Sequence, residues 1–230
     1  IDNNYKKKQI FLTGPLVFEK PAKNFKTKNI RQKYKINKSK KIILQASTPK
    51  SYNSLRPITF ENYDEYLHHL KKIIDHIKKF NNYFHLIIKF RKTEDLSLED
   101  LQRELKIEKL KCVSISTDDN LNDLLDVSDL LISYSSTIIE EMFNFKKPVL
   151  LLDLFDKYNH LHKYNLYKSI SGIYKQPFHY CNSEKKMFNF FNFFRNFNEN
   201  KFIKNINWDK FIYTNINNDK IIYKKILNPK

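Results

Sequence analysis

The chain has 230 residues, of which 41% are hydrophobic and 15% aromatic, so it can bury a core and is not disordered. No apolar run approaches the roughly 20 residues of a membrane-spanning helix. The net charge of +17 predicts anionic partners: a nucleotide diphosphate, an anionic polymer, an acidic membrane surface or nucleic acid. The excess of Lys, Asn, Ile, Phe and Tyr over Gly, Ala and Arg is also typical of AT-rich coding bias, which raises the lysine content without a functional demand.

The two cysteines, Cys112 and Cys181, are far apart and do not have the spacing of metal ligands. They favour reduced, buried thiols of a cytosolic protein over a disulfide framework. The chain begins with Ile1 and has no initiator methionine, so we expect an excised domain or processed fragment with sequence missing upstream.

Predicted strands and helices alternate along most of the chain. A first helix is predicted at 26–34; strands follow at 41–46, 83–90, 111–116, 129–133 and 149–152, and helices at 63–80, 98–105, 122–125 and from 138. Five buried strands with crossover helices indicate an α/β fold with a doubly wound parallel sheet. A loop is predicted at 172–183, and helices at 184–198 and 219–227.

The helix predicted at 184–198 is unusually rich in phenylalanine. Packing against the sheet is the default interpretation, and a surface facing a membrane or another domain is the alternative.

The prediction of a functional site rests on the stretch from Val127 to Asp153. A short apolar strand is followed by the hydroxyl-rich turn Tyr134-Ser135-Ser136-Thr137, a helix, and a second strand after Pro148. A helix that begins where a parallel strand ends can bind an anion, because its first backbone N–H groups are free. Taken alone, the turn is more typical of an ordinary helix cap; the order of the surrounding elements favours a site.

This stretch resembles the C-terminal nucleotide-binding domain of GT-B-fold enzymes, which include nucleotide-sugar glycosyltransferases, glycerophosphotransferases and UDP-sugar 2-epimerases. The Tyr-Ser-Ser form resembles the glycerophosphotransferase and capsule-polymer branch, whereas the epimerase branch typically has Asp-Ser-Gly-Gly. The resemblance implies a Rossmann-like half of a GT-B fold. It also implies that Ser135, Ser136 and Thr137 bind the donor diphosphate and that Glu141, with Glu140 as second choice, binds the ribose.

The resemblance implies further cleft residues. Arg91 stands where many relatives have a histidine; its guanidinium suits a diphosphate but cannot act as a general acid or base near neutral pH. The remaining cleft candidates follow the first, third and fifth strands: Ser47, Thr48, Lys50, Ser116, Thr117, Asp156, Tyr158 and His160. For the loop after the first strand, an ordinary turn is an equal alternative.

Three further residues outside this set have polar side chains that could serve a site. Arg56 is interpreted as a residue that could reach a phosphate. His69 and His76 are interpreted as solvent-facing or rim residues, and no metal site is predicted.

The domain organisation follows from the same resemblance. Residues 1–40 are interpreted as the end of a missing N-terminal domain plus a linker, 41–183 as the nucleotide-donor domain, and 184–230 as C-terminal helices that pack on the sheet or on the missing domain.

The predicted function is donor binding in a glycosyltransferase or glycerophosphotransferase of GT-B type. Such an enzyme moves a sugar or polyol phosphate from a CDP- or UDP-linked donor to a cell-surface glycan or polyol-phosphate polymer, with no cofactor or metal. The general base is expected in the other domain, so this chain alone should bind nucleotide without turnover. We expect a cytoplasmic protein, with peripheral contact at the inner face of the membrane.

Two alternatives stay open. One is a relative of the UDP-sugar 2-epimerases; the other is a non-catalytic basic module that binds anions or nucleic acid. The basic residues are spread along the chain without a cluster and no nucleic-acid motif is present, so nucleic acid is not the expected partner.

Overall fold

The computed structural model describes residues 27–50, 61–93, 96–134, 136–157 and 174–212. Within these ranges six strands form one all-parallel sheet. The strands are β1 (Lys41–Gln45), β2 (Phe84–Lys89), β3 (Val113–Ser116), β4 (Leu130–Ser133), β5 (Val149–Leu152) and β6 (Phe178–Cys181). The helices are α1 (Thr27–Lys33), α2 (Tyr63–Lys79), α3 (Leu98–Leu105), α4 (Leu121–Val127), α5 (Ile138–Asn144), α6 (Glu184–Phe194) and α7 (Glu199–Asn205), with short 3-10 turns at Ile107–Lys109 and Trp208–Lys210. The predicted α/β class and doubly wound parallel sheet are confirmed.

The strand order is β3-β2-β1-β4-β5-β6, so the direction in which strands are added reverses between β1 and β4. These two strands pair directly, from Ile43 opposite Leu130 to Gln45 opposite Ile132. The connections that leave their carboxyl ends go to opposite sides of the sheet, which opens a crevice at that edge.

The strands are mainly apolar because both faces of the sheet are covered. All four residues of β4, β5 and β6 are buried. A partly buried carboxylate also links β1 to the start of β4, since Asp129 Oδ2 accepts a hydrogen bond from the Ile42 backbone N–H at 2.6 Å.

A polar contact fixes the end of α4. The Lys147 ammonium donates to the carbonyl oxygens of Leu125, at 3.1 Å, and Asp126. These carbonyls have no partner within the helix, so the lysine satisfies them. Burial lowers the pKa of Lys147.

Two predicted boundaries at the C-terminal end are wrong. The predicted loop at 172–183 contains strand β6, which pairs with β5 from Val149 opposite Phe178 to Leu152 opposite Cys181. This strand has only four residues and includes the polar His179, so its pattern is too short to recognise. The helix predicted at 184–198 ends at Phe194, because the Asn198 side chain caps a separate helix, α7.

The phenylalanines of α6 face mainly inward. Phe190, Phe191 and Phe194 are fully buried, whereas Phe188 is 42% exposed. The rings of Phe191 and Phe194 lie 5.7 and 6.0 Å from that of Phe84 at the start of β2. This helix therefore packs on the sheet, as the default interpretation has it.

Cys112 and Cys181 are free and buried, as predicted. None of the helices in the described ranges is long and apolar enough to span a bilayer. The predicted helix at 219–227, the region before residue 27 and Arg56 lie outside the described residues.

Candidate functional site

A cavity of about 320 Å³ opens at the carboxyl edge of the sheet. Its lining comes from the ends of β1 and β2 and the starts of α4 and α5: Ala46, Ser47, Thr48, Lys89, Arg91, Leu121, Ser136, Thr137, Ile138 and Glu141. The cavity thus lies at the reversal between β1 and β4, where open α/β sheets bind their ligands.

The turn between β4 and α5 presents hydroxyl groups to this cavity. Ile138 and Ile139 are buried and anchor the first turn of α5. Thr137 occupies the N-cap position without a side-chain capping hydrogen bond, and the Ser136 hydroxyl accepts only a long one, 3.5 Å, from the Ile138 N–H. The interpretation as an ordinary cap therefore accounts poorly for these two hydroxyls, which remain able to donate to a ligand. Ser135 lies outside the described residues.

Two cationic side chains line the cavity at the end of β2. Arg91 is exposed, and Lys89 is partly buried with its ammonium donating to the Thr117 carbonyl oxygen at 2.6 Å. Burial lowers the pKa of Lys89, while the Asp119 and Asp118 carboxylates oppose that shift. Paired positive charges beside free hydroxyls suit a diphosphate.

Lys89 was not among the predicted site residues, although its spacing from Arg91 in the sequence could have indicated it. Lys89 is the last residue of β2, and Arg91 follows it by two positions, with the buried Phe90 between them. This alternation could have placed Lys89 beside Arg91.

The two predicted ribose ligands are separated by the helix geometry. Glu141 lines the cavity, whereas Glu140 does not. Consecutive residues of a helix point about 100° apart, so only one of them can face the ligand. The first choice, Glu141, is the one whose position suits the role.

Four other candidates do not line this cavity. Ser116 is buried and donates to Asp119 Oδ2 at 2.7 Å, and the Thr117 carbonyl oxygen accepts from Lys89. The backbone of Lys50 donates to the Glu61 carbonyl oxygen at 2.8 Å. Asp156 lies 3.0 Å from the Tyr180 hydroxyl. Tyr158 and His160 lie outside the described residues.

The interpretation of His69 and His76 as solvent-facing or rim residues is wrong, because each is only 3% exposed. Polar partners make their burial tolerable. His69 Nδ1 contacts Glu61 and its Nε2 accepts from the Leu154 N–H at 3.2 Å, while His76 Nδ1 donates to the Lys72 carbonyl oxygen at 2.8 Å. Across the described ranges no cluster of His, Cys, Asp and Glu has an arrangement that could hold a metal ion.

No protein-family model and no curated protein sequence matches the chain. Solved structures do. A variant of the wall teichoic acid polymerase TagF, soaked with CDPG, is 14% identical, with a TM-score of 0.56 over 97% of this chain and 53% of that one. A glycosyltransferase from Rickettsia africae is 16% identical, with a TM-score of 0.54 over 91% of this chain and 54% of that one. MnaA of S. aureus, solved with UDP, is 15% identical, with a TM-score of 0.54 over 87% and 49%.

These identities establish the fold alone. The chain spans about half the length of the solved structures it matches. The six-stranded parallel sheet, the reversal between β1 and β4 and the cavity at that reversal agree with such a half. The chain therefore has the fold of one half of a GT-B-type protein, as its resemblance to a C-terminal nucleotide-binding domain implied.

Proposed function

We propose that this chain is the donor-binding part of a GT-B-type transferase that uses a nucleotide-diphosphate donor. The observation that carries the proposal is the single cavity into which Lys89, Arg91, Ser136, Thr137 and Glu141 converge. Two cations and two available hydroxyls form the phosphate side, and one carboxylate is placed to accept hydrogen bonds from ribose hydroxyls.

The chemistry of such a site is stabilisation of a leaving group. When the bond to the transferred group breaks, negative charge develops on the departing phosphate. The Lys89 ammonium and the Arg91 guanidinium neutralise that charge, and the Ser136 and Thr137 hydroxyls donate to it. These groups can do so without a metal or other cofactor. The residue that deprotonates the acceptor would lie in the other half of the enzyme.

Two structural neighbours support the choice of donor class, since one was soaked with CDPG and one was solved with UDP. We propose a CDP- or UDP-linked donor and transfer of a sugar or polyol phosphate to a cell-surface glycan or polymer. Donors of this kind are made in the cytoplasm, so the protein would work there or at the inner face of the membrane.

The likeness to a UDP-GlcNAc 2-epimerase from Neisseria meningitidis, 17% identical with a TM-score of 0.50 over 87% of this chain and 48% of that one, favours a second candidate, a relative of the UDP-sugar 2-epimerases. That reaction would use the same cavity for the same diphosphate. The turn argues for the transferase, because Tyr134-Ser135-Ser136-Thr137 contains no glycine. Incubation of the chain, together with its other half, with a UDP-sugar separates the two: only an epimerase converts the sugar without an acceptor.

Calorimetric titration with CDP, UDP, CMP and UMP at moderate salt tests the proposal. A diphosphate should bind better than its monophosphate, and the double variant Ser136→Ala with Glu141→Ala should abolish that binding. Glu140→Ala is the matched control, since Glu140 lies beside Glu141 and does not line the cavity. Binding that ignores the base, survives the double variant and weakens uniformly with salt would instead indicate general attraction of polyanions.

A further inference from the structure

A chain of hydrogen bonds runs behind the cavity wall at Ser47. Gln45 Nε2 donates to Ser47 Oγ at 2.7 Å, and Ser47 Oγ lies 3.1 Å from Glu61 Oε2. Glu61 Oε1 contacts His69 Nδ1, and His69 Nε2 lies 3.2 Å from the Leu154 backbone nitrogen. Gln45, Glu61 and His69 are at least 95% buried, whereas Ser47 lines the cavity.

The donor and the acceptor of these hydrogen bonds can be assigned in turn, starting from the Leu154 backbone N–H. The Leu154 N–H can only donate, so His69 Nε2 must accept and carries no proton. The ring proton is therefore on Nδ1, which donates to Glu61. A carboxylate accepts at both oxygens, so the Glu61 Oε2 atom takes the Ser47 hydroxyl proton.

The Ser47 hydroxyl consequently has no proton to offer a ligand. Its single O–H points inward to Glu61, and one of its lone pairs is used by Gln45. What remains towards the cavity is a lone pair, which can accept a hydrogen bond but cannot donate one. Phosphate oxygens are acceptors, and the Glu61 carboxylate behind Ser47 adds negative charge on this side. This part of the wall is unsuited to phosphate and suited to a hydroxyl group.

The groups that line the cavity thus differ in hydrogen-bonding character. Lys89, Arg91, Ser136 and Thr137 can all donate, whereas Ser47, which follows β1 between β2 and β4, can only accept. A ligand that satisfies all of these groups carries both a phosphate and a hydroxyl-bearing group.

We propose that Ser47 accepts a hydrogen bond from a hydroxyl of the group attached to the nucleotide diphosphate, and that Glu61 and His69 are positioning residues that hold its proton away from the ligand. This inference rests on the proposed donor-binding function of the cavity. It narrows the donor to one whose transferred group is a sugar or a polyol with a free hydroxyl.

The hydrogen-bond direction can be measured without a ligand. Long-range 1H–15N NMR spectra of the whole chain, assigned with a His69→Gln variant, report which ring nitrogen of His69 carries the proton. The expected result is a neutral ring with its proton on Nδ1. A proton on Nε2, or on both nitrogens, would overturn the inference.

Calorimetry then tests the ligand. UDP is compared with UDP-N-acetylglucosamine, and CDP with CDP-glycerol. Ser47→Ala should weaken the two conjugates about fivefold, the effect of one hydrogen bond, and leave the free diphosphates within about twofold. Equal losses for conjugate and free diphosphate would mean that Ser47 contacts the phosphates or the ribose, and would overturn the inference.

Glu61→Gln gives a second, directional test. Its amide oxygen can still accept from His69, so its amide nitrogen then faces Ser47 and donates, which releases the Ser47 proton towards the cavity. The preference for conjugate over free diphosphate should fall about fivefold or more, without weaker binding of the free diphosphate. An unchanged preference contradicts the role of Glu61. If the unaltered chain binds neither diphosphate, the proposed function itself fails and the ligand assignment falls with it; selective failure of the Ser47 and Glu61 variants leaves the proposed function standing.

Discussion

Replacement of Lys89 by methionine removes one positive charge from the cavity and keeps a side chain of similar length. The Lys89 ammonium has three N–H donors, and one of them goes to the Thr117 carbonyl oxygen at 2.6 Å. Two donors are left for a phosphate at the end of β2. Lys89→Met should therefore weaken diphosphate binding.

The magnitude follows from the partial exposure of this lysine. Two unit charges 4 Å apart interact by about 4 kcal/mol at an effective dielectric constant near 20, which is an upper bound. A hydrogen bond to a charged group contributes about 1.5–3 kcal/mol net, and solvent screening favours the lower half of that range. A loss of about 1.5–2 kcal/mol corresponds to roughly a 10- to 30-fold rise in the Kd for UDP or CDP.

The assay is calorimetric titration of each variant at about 0.15 M salt, where exposed charges beyond about 8 Å are largely screened. The matched control is Lys92→Met, because Lys92 is three residues further along the same segment, is exposed and does not line the cavity. Its expected effect is about twofold or less. Equal losses for the two variants would contradict a specific role of Lys89, since binding would then depend on net charge and not on the site.

Three predictions concern the stability of the fold, each checked by urea unfolding. Burial lowers the pKa of both His85 and His179 to about 4, below the ordinary 6.5. Between pH 6.5 and 4 the unfolded chain therefore binds more protons than the folded chain. The free energy of unfolding should fall as the pH falls through that window. Each histidine should cost about 2 kcal/mol by pH 5, and His85→Gln combined with His179→Leu should flatten the dependence; a steep dependence in the double variant would contradict this. Phe194→Ala empties a fully buried position and should cost about 3–5 kcal/mol, whereas Phe188→Ala, at a side chain that is 42% exposed, should cost about 1 kcal/mol or less; similar costs would refute the packing described for α6. Lys147→Met leaves the carbonyls at the end of α4 without their donor and should cost about 1–3 kcal/mol, and an unchanged free energy of unfolding would show that water replaces the ammonium.

The elements that the sequence predicted well are specified by residues that lie close together in the chain. Helix α2 begins at Tyr63 as predicted, because Asn62 and Glu65 form a reciprocal cap: Asn62 accepts from the Glu65 N–H at 2.9 Å and its own N–H donates to the Glu65 carboxylate at 3.2 Å. Five strands were predicted from short apolar runs, since strands buried on both faces are apolar at most positions. The placement of Arg91, Ser136 and Glu141 on one cavity followed from the rule that the carboxyl ends of parallel strands share an edge.

The elements that were missed depend on contacts distant in the chain. Strand β6 forms because it pairs with the edge of β5. Its four residues include a histidine, so the sequence pattern alone does not indicate a strand. The burial of His69 depends on Glu61 and on the Leu154 N–H, which is 85 residues away, so no periodicity could show it. The hydrogen bond that the Ser47 hydroxyl donates to Glu61 likewise depends on the folded network, and no single segment of the sequence indicates it.

The most direct test of the account is to locate a bound diphosphate on the chain. Backbone-amide NMR spectra would be recorded with saturating UDP and with CDP. The largest shifts are expected at the cavity, around Arg91 after the end of β2 and at Ser136 and Thr137 before α5, and they should be lost in the Ser136→Ala, Glu141→Ala double variant. Shifts spread over basic surface positions such as Lys33 and Lys109, with none at the cavity, would contradict it.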